Sequence, residues 1–407
     1  MADDIISTLP DSLLCHILSF LEAKDVVATT ILSKRWSNLW LYVPVLEFNA
    51  QLTDPYEIFS FNDFVYSVLL SRGPTTFIKA FKLSVDYDCE EDFLPTLGFA
   101  KWINFVIQCG VQHLDLFLDL PSIPKLPNTI FTCKTLVSLD LTFFRLDHSF
   151  SSFQLPSLKT LNFDFIIVPK DLDFMLILAA CPILENLSIY DLQWFHSEDS
   201  LSCNKWKNFS LSNLIDANVD SSYFHFPLKT LHNVQSLEIS MAKMHSFNDF
   251  IPTFHNLAYL HLSFLNYRWH FLVEVLKNCP NLQELDIDEA GAYATEETWT
   301  RKDDKENWMD PDSVPQCLSL HLKNCQLMSF LGLQGELLLA MYILKNARVL
   351  QTMEIWNFGQ PEIEEVLYSC PRASSTCELM VYDDSFDNTS DEASLEAREG
   401  SFDGSDD

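Results

Sequence analysis

The sequence predicts an α/β protein: a small helical module followed by an array of repeated strand-plus-helix units. Three observations carry this reading. The pattern apolar-x-x-apolar-x-apolar recurs down most of the chain. Helical apolar spacings fill several of the intervals between its copies. Residues 8–45 show helical spacing alone.

The module reads TLPDSLLCHILSFLEAKDVVATTILSKRWSNLWLYVPV. Pro10 suits a first helical turn and Asp11 the positive end of the helix dipole. Leu13, Leu14, Ile17, Leu18 and Leu21 then recur at the spacing of an amphipathic helix. Lys24-Asp25 restarts the chain, and Val26, Val27, Ile31 and Leu32 form a second apolar stretch. Trp36, Leu39 and Trp40 mark a third. Three short helices in so few residues bury little surface by themselves. Some of these groups must find a partner, either the array or another protein.

The clearest copies of the repeat pattern are Leu136-x-x-Leu139-x-Leu141, Leu158-x-x-Leu161-x-Phe163, Leu184-x-x-Leu187-x-Ile189, Leu257-x-x-Leu260-x-Leu262 and Leu282-x-x-Leu285-x-Ile287. Looser copies centre on Phe81, Leu114, Phe209, Leu237, Leu320 and Met353. The last two apolar positions of each copy lie two apart, so they share one face of a short strand. Leu172, Met175, Leu176 and Ala179 take helical spacing before Cys181-Pro182, as do Leu272, Val275 and Leu276 before Cys279-Pro280. Proline cannot continue a helix and favours an extended residue before it, so Cys-Pro marks helix end and strand approach. One strand and one helix per 22–28 residues over most of the array is the leucine-rich-repeat signature, whose units stack into a solenoid. The Asn or Cys usual after the final leucine is mostly missing, with only Cys325 in place. An ordinary α/β sheet is the alternative.

Composition narrows the function. Lys and Arg number 26 against 57 Asp and Glu, a formal charge of −31. Nucleic acid and anionic membrane surfaces, both of which need a basic footprint, are disfavoured as partners. Only 9 of 407 residues are glycine, where average usage of about 7% gives roughly 28. They form no GxGxxG, no Walker loop and no GxSxG elbow. The first residues, MADDIISTLPDS, lack the basic and apolar regions of a secretion signal. The 11 scattered cysteines contain no CxxC, so the expected compartment is reducing, nucleus and/or cytoplasm. Glu289 to Asp312 is expected to be a long exposed loop around Trp299 and Trp308, and Asp383 to Asp407 an acidic disordered tail. Asp86, Asp88, Glu90, Glu91 and Asp92 read as a solvated loop, or as an attractor for a basic substrate.

Metal and catalytic readings are weak. Cys317, His321 and Cys325 are four apart, but Leu318, Leu320 and Leu322 alternate between them as in a strand, where three such ligands cannot meet one ion. His255, His261 and His270 read as surface or core histidines, and Trp102 as a core anchor on a helix. No nucleophile–base motif, metal motif or phosphate loop appears, so the chain reads as non-catalytic and without a cofactor.

The helical module resembles the F-box of plant F-box proteins. The resemblance lies in Leu9-Pro10-Asp11, Ile17-Leu18-Ser19-Phe20-Leu21, Lys24-Asp25, Leu32-Ser33-Lys34-Arg35-Trp36 and Leu39-Trp40. Ala28 stands where many relatives carry arginine, and Cys15 and His16 fill variable positions. The C-terminal third resembles the FBD segment that follows leucine-rich repeats in many such proteins. There the matching residues are Trp308, Pro311, Val314-Pro315-Gln316-Cys317-Leu318, Phe330-x-Gly332, Tyr342-Ile343-Leu344-Lys345-Asn346-Ala347, Leu350, Met353 and Cys370-Pro371-Arg372-Ala373-Ser374. Bottom-up, that piece reads as two strand units with a helix between, from about Gly335 to Asn346. The implied domains are a three-helix F-box at 1–46, a leucine-rich-repeat solenoid at 47–290, an FBD-type capping segment at 291–382 and the tail at 383–407.

The resemblance implies a substrate receptor of an SCF-type ubiquitin ligase. Its F-box would dock on a Skp-type adaptor, and through it on a cullin and a RING subunit, while the repeats hold an unknown protein substrate. The residues this implies for the adaptor face are Leu9, Pro10, Leu13, Leu14, Ile17, Leu18, Leu21, Leu32, Ser33, Arg35, Trp36, Leu39 and Trp40, shared between that interface and the module's own packing. The alternatives are a repeat scaffold outside any ligase, and a receptor gated by a small molecule. The acidity disfavours a polyphosphate ligand and leaves an apolar one open.

Overall fold

The computed structural model describes residues 6–73, 76–87, 98–147, 152–169, 174–194, 206, 209–220, 226–240, 251–265, 268–289, 311–357 and 362–383. The expected loop with Trp299 and Trp308, the acidic tail and most of the acidic run after Asp86 lie outside them. The chain divides into two compact units, Met1–Asn256 and Leu257–Asp407.

The first unit opens with the helical module. It comprises a 3-10 turn Ile6–Thr8, helix α1 Asp11–Leu18, helix α2 Ala23–Ala28, a 3-10 turn Thr29–Ile31 and a 3-10 helix Trp36–Tyr42. The last segment, expected as a third helix, thus winds more tightly than an α-helix. Ser37 and Asn38 are weak helix formers, and Pro44 holds Val43 extended at ψ 120°.

Parallel strands follow: β1 Val45–Leu52, β2 Ala80–Tyr87, β3 His113–Asp119, β4 Ser138–Arg145, β5 Thr160–Val168, β6 Asn186–Tyr190, β7 Gln193–Trp194, β8 Asp216–Val219 and β9 Ser236–Ser240. Each pairs with the next along the unit, except that β6 pairs with β8 and the short β7 extends alongside β5. The register lines up Leu46, Phe81, Leu114, Leu139, Leu161, Leu187, Ala217 and Leu237 side by side. The second unit repeats this with β10 Tyr259–Ser263, β11 Glu284–Asp288, β12 Asn324–Phe330, β13 Thr352–Asn357 and β14 Glu378–Asp383. There Leu260, Leu285, Cys325, Met353 and Leu379 align.

That register corrects two expected repeat centres. The strand placed around Phe209 is β8, centred on Ala217, and the strand placed around Leu320 is β12, which begins at Asn324. Gln316–Leu320 is a short helix, α7, so the alternating leucines there are not strand positions. Among the described residues no three His, Cys, Asp or Glu side chains gather as metal ligands.

Helices return the chain between strands. They are α3 Pro55–Arg72, α4 Phe99–Gln108 and α5 Met175–Ala179 in the first unit, and α6 Trp269–Lys277, α7, α8 Gln334–Asn346 and α9 Glu362–Tyr368 in the second. The Asn128–Thr132 and Leu228–Leu231 connections are single 3-10 turns, entered at Pro127 and Pro227, where a full helix was expected. Helix α3 has the firmest start. Asp54 accepts from the Tyr56 backbone at 2.7 Å, Glu57 reaches back to the Thr53 and Asp54 backbone, and Pro55 presets the first turn. It ends on Gly73 at φ +72°, a conformation that favours glycine.

Inward-facing residues fill the core between strands and helices. Trp102 on α4 is 1% exposed and meets Phe61 and Tyr66 of α3 edge-on, at 6.1 and 5.7 Å between ring centres. It is the core anchor the sequence suggested. The cysteines among the described residues are free and buried, and burial pushes the Cys181 and Cys317 thiols up to about 12. No helix among the described residues is long and apolar enough to cross a membrane.

Candidate functional site

The helical module divides its apolar residues into two sets. Leu14, Cys15, Leu18, Val26, Trp36, Leu39 and Val43 form a core, with Leu9 and Trp40 packed against it. Of the set expected to be shared between the adaptor face and the module's own packing, Leu14, Leu18, Trp36 and Leu39 fall to the packing, because the i, i+4 stripe of α1 that starts at Leu14 turns toward the 3-10 helix. Cys15 ties the two together by a thiol hydrogen bond to the Leu39 carbonyl at 3.6 Å, and Trp40 Nε1 donates to the Ser37 carbonyl at 3.1 Å. Leu13 and Ile17 carry the other stripe of α1 and, with Leu21 in the bend just after the helix, are 48%, 47% and 39% exposed. Leu32 and Pro10 are also exposed. So are Phe20 and Ile31, which sequence reasoning left out of the site and which burial alone brings in. Arg35 clamps the entry to α1. Its guanidinium donates to Asp11 Oδ1, through Nε at 2.9 Å and Nη2 at 2.6 Å, and to the Leu9 carbonyl. Ser33 is exposed beside it.

The module is tied to the repeats through Arg72, the last residue of α3. This side chain is 6% exposed and donates through Nη2 to the Trp40 carbonyl and, at 2.7 Å, to the Val43 carbonyl. Burial pulls the guanidinium down to about 10, only partly opposed by the Cys109 and Cys15 thiols.

A second surface lies on the outward side of the first unit's sheet. Asp115, Asp140, Asn162 and Ser188 stand side by side in the register, and Lys82 precedes them. Asn162 Nδ2 donates to Asp140 at 2.9 Å and Asn218 Nδ2 to Glu238 at 2.7 Å. A shallow depression of about 180 Å3 opens among Asn162, Asn186, Ser188, Asp216, Asn218 and Glu238. Just past the last inward leucine position, Phe143, Phe165 and Asp191 adopt φ values of +63°, +48° and +43°. Left-handed backbone costs a non-glycine residue roughly 1–2 kcal/mol. Phe143 stacks on Phe165 at 4.9 Å and meets Phe117 edge-on at 5.5 Å, giving an aromatic ladder across β3, β4 and β5.

The carboxylates on this face repel one another. Burial raises Asp115, with Asp140 adding to it. Asp164 is pushed up to about 6, chiefly by burial, then by Asp191 and Asp140, against a hydrogen bond from the Phe165 backbone. An acid whose folded pKa stands above its unfolded value of about 3.9 binds more protons folded than unfolded in between, so folding gains stability as pH falls through that window. The Asp164→Asn variant is therefore expected to melt above wild type at about pH 7.5, with the gap closing toward about pH 5. A gap independent of pH, measured by calorimetry, would show that Asp164 does not carry the effect.

A half-exposed apolar helical module ahead of parallel strands held in register within each unit defines a repeat protein with an N-terminal helical module. Family models agree: "F-box domain" matches residues 6–48, "FBD-associated F-box protein At5g56370, LRR repeats" matches 99–217, and "FBD" matches 310–355. The chain is 30% identical to the Arabidopsis thaliana F-box/FBD/LRR-repeat protein At3g26920, over 93% of this chain and 96% of the relative. It is 29% identical to F-box/FBD/LRR-repeat protein At4g26340 over 93% and 99%, and 31% identical to F-box/LRR-repeat protein 13 over 70% and 77%, both from the same plant. The chain belongs to the plant F-box/FBD/leucine-rich-repeat proteins.

Proposed function

We propose that the chain is the substrate-recognition subunit of an SCF-type cullin–RING ubiquitin ligase. The F-box occupies 1–46, its three helical segments dock on a Skp-type adaptor, and the adaptor links them to the cullin and RING subunits. The repeats from 47 to 290 hold a protein target, and the FBD-type segment at 291–382 continues and caps the array. The chain carries out no bond chemistry itself. It raises the local concentration of a target lysine near the ubiquitin-charged enzyme, which acts as an effective-concentration gain.

The observation that carries this reading is the exposed set Leu13, Ile17 and Leu21, with Phe20, Ile31 and Leu32, on a module that already buries a core of its own around Leu14, Leu18, Trp36 and Leu39. Large apolar groups left in water on one face mark an interface. Within the expected adaptor set, the face reduces to Pro10, Leu13, Ile17, Leu21 and Leu32, with Ser33 and Arg35 supplying polar register. Leu9 and Trp40 support it from the core side. Co-expression with a plant Skp-type adaptor, followed by size-exclusion chromatography, tests this. A stoichiometric complex supports the receptor reading. A chain that elutes alone as a soluble monomer beside free adaptor counts against it.

A further inference from the structure

We infer that the outward face of β3, β4 and β5 docks an extended peptide segment bearing lysine or arginine. Phe117, Phe143 and Phe165 form its aromatic floor, and Asp115, Asp140 and Asp164 are its charge partners. The inference gives the proposed substrate receptor a chemical class of target and rests on that reading for its biological sense.

The backbone argues first. Strand alternation would send the residue after Thr142 inward. Phe143 instead takes the left-handed conformation, and the inward place goes to Phe144, which is fully buried. Phe165 repeats the device on β5, with Ile166 buried in its stead. The register pairs Thr142 with Asp164 and Phe144 with Ile166, so the two irregularities face each other. A bulky aromatic residue in this region is a true outlier. The same left-handed step recurs at Asp191, Phe264 and Ser329, so it belongs to the repeat; at Phe143 and Phe165 it falls on aromatic residues of neighbouring strands and turns their rings outward. The rings remain partly exposed rather than sinking into the core.

Charge selects the occupant. Asp115 and Asp140 lie on the same face as Phe117, and Asp164 lies beside Phe165. Two bases flank the face: Lys82 on β2, beyond Asp115 and itself flanked by Glu47, and Arg145 at the end of β4, two residues past Phe143; the three carboxylates outnumber them. Asp140 takes a hydrogen bond from neutral Asn162. A cation brought to this face meets carboxylates that gain from a counter-charge, and ring faces that attract cations. An acidic segment meets the same carboxylates as repulsion, and a neutral apolar one leaves them desolvated and unpaired.

The test is fluorescence anisotropy on the full chain at physiological ionic strength, with a short labelled peptide alternating Arg and Ala. Versions with Gln or Glu in place of Arg are the comparisons. The Arg peptide is expected to bind and the others not. Phe143→Ala/Phe165→Ala and Asp140→Asn/Asp164→Asn are each expected to weaken binding about tenfold or more. Asp25→Asn/Asp63→Asn removes the same charge elsewhere in the first unit and should leave affinity unchanged. Phe143→Leu/Phe165→Leu keeps apolar volume without the rings, and stands in if the alanine variant melts early. Equal binding of the Gln peptide, or equal loss in the Asp25/Asp63 variant, overturns the inference, since either reduces it to general acidity. Adaptor binding is measured on the same samples. Its failure alongside intact peptide binding would sink the ligase reading and leave this surface standing.

Discussion

Replacing Arg72 by methionine is expected to lower stability by about 1–3 kcal/mol, and by alanine about 3–5 kcal/mol, with the loss concentrated in the helical module. Two effects oppose one another. Methionine removes a guanidinium that is expensive to bury, as its pKa near 10 records. It also strips the Trp40 and Val43 carbonyls of their donor. Hydrogen bonds to a charged group contribute about 1.5–3 kcal/mol each, and the burial that lowers the guanidinium to about 10 offsets part of that gain. The paired carbonyls win by a modest margin, and alanine adds a cavity. Lysine does not rescue fully, because both bonds come from Nη2 at the far end of the arginine, and a compact, strongly hydrated ammonium on a different stem costs more to bury there. The sign of the shift settles the pH behaviour. A base with a lowered folded pKa changes stability only above about pH 10, so the deficit stays constant from about pH 5 to 8. Hydrogen exchange should localise the loss to amides such as Val43, which donates to Trp40. A methionine variant with wild-type exchange there would mean that the carbonyls find other donors and that Arg72 ties nothing down.

Much of the array was legible because each repeat spends three apolar positions on the core. Ile78, Val111, Leu136, Leu158, Leu184, Val234, Leu257, Leu282 and Leu350 are all buried as first residues of the pattern. The misplaced centres have a chemical cause. Leu214-x-x-Ala217-x-Val219 and Leu322-x-x-Cys325-x-Leu327 obey the spacing, but alanine and cysteine stand where a leucine was sought. Val43-x-x-Leu46-x-Phe48 is also regular, yet it overlaps the end of the helical module and hides inside it. Strand β14 has Thr376 at the first position and gave no signal. The candidate sites were less legible. Helical spacing placed Leu13, Leu14, Ile17, Leu18 and Leu21 on one broad face without saying which edge turns inward. That depends on the 3-10 helix packing from some twenty residues away. The aromatic ladder was invisible because a left-handed phenylalanine leaves no mark in composition or period.

Leu14 and Ile17 share one short helix and are expected to fail in opposite ways. Leu14 is fully buried at the centre of a core of only seven residues. Leu14→Ala removes apolar contact and leaves a cavity, costing about 2–5 kcal/mol. In so small a module that is enough to unfold it, so the low-temperature part of the melt should shift and adaptor binding should fall with it. Ile17 is 47% exposed. An aspartate there meets water in the free chain, so stability should move by no more than about 0.5 kcal/mol. In the complex it would place a charge in a desolvated apolar contact. Central interface residues lose about 2 kcal/mol or more on truncation, and a buried charge adds to that, so adaptor affinity should drop by about 100-fold or more. Calorimetry and titration against a Skp-type adaptor read the two quantities separately. If Ile17→Asp binds as wild type does, the exposed stripe of α1 is not the docking face. If Leu14→Ala melts unchanged, the residue is not the core anchor its burial implies. The decisive comparison is the ratio of binding loss to stability loss, high at Ile17 and low at Leu14, because a general folding defect moves both together and a docking defect moves only one.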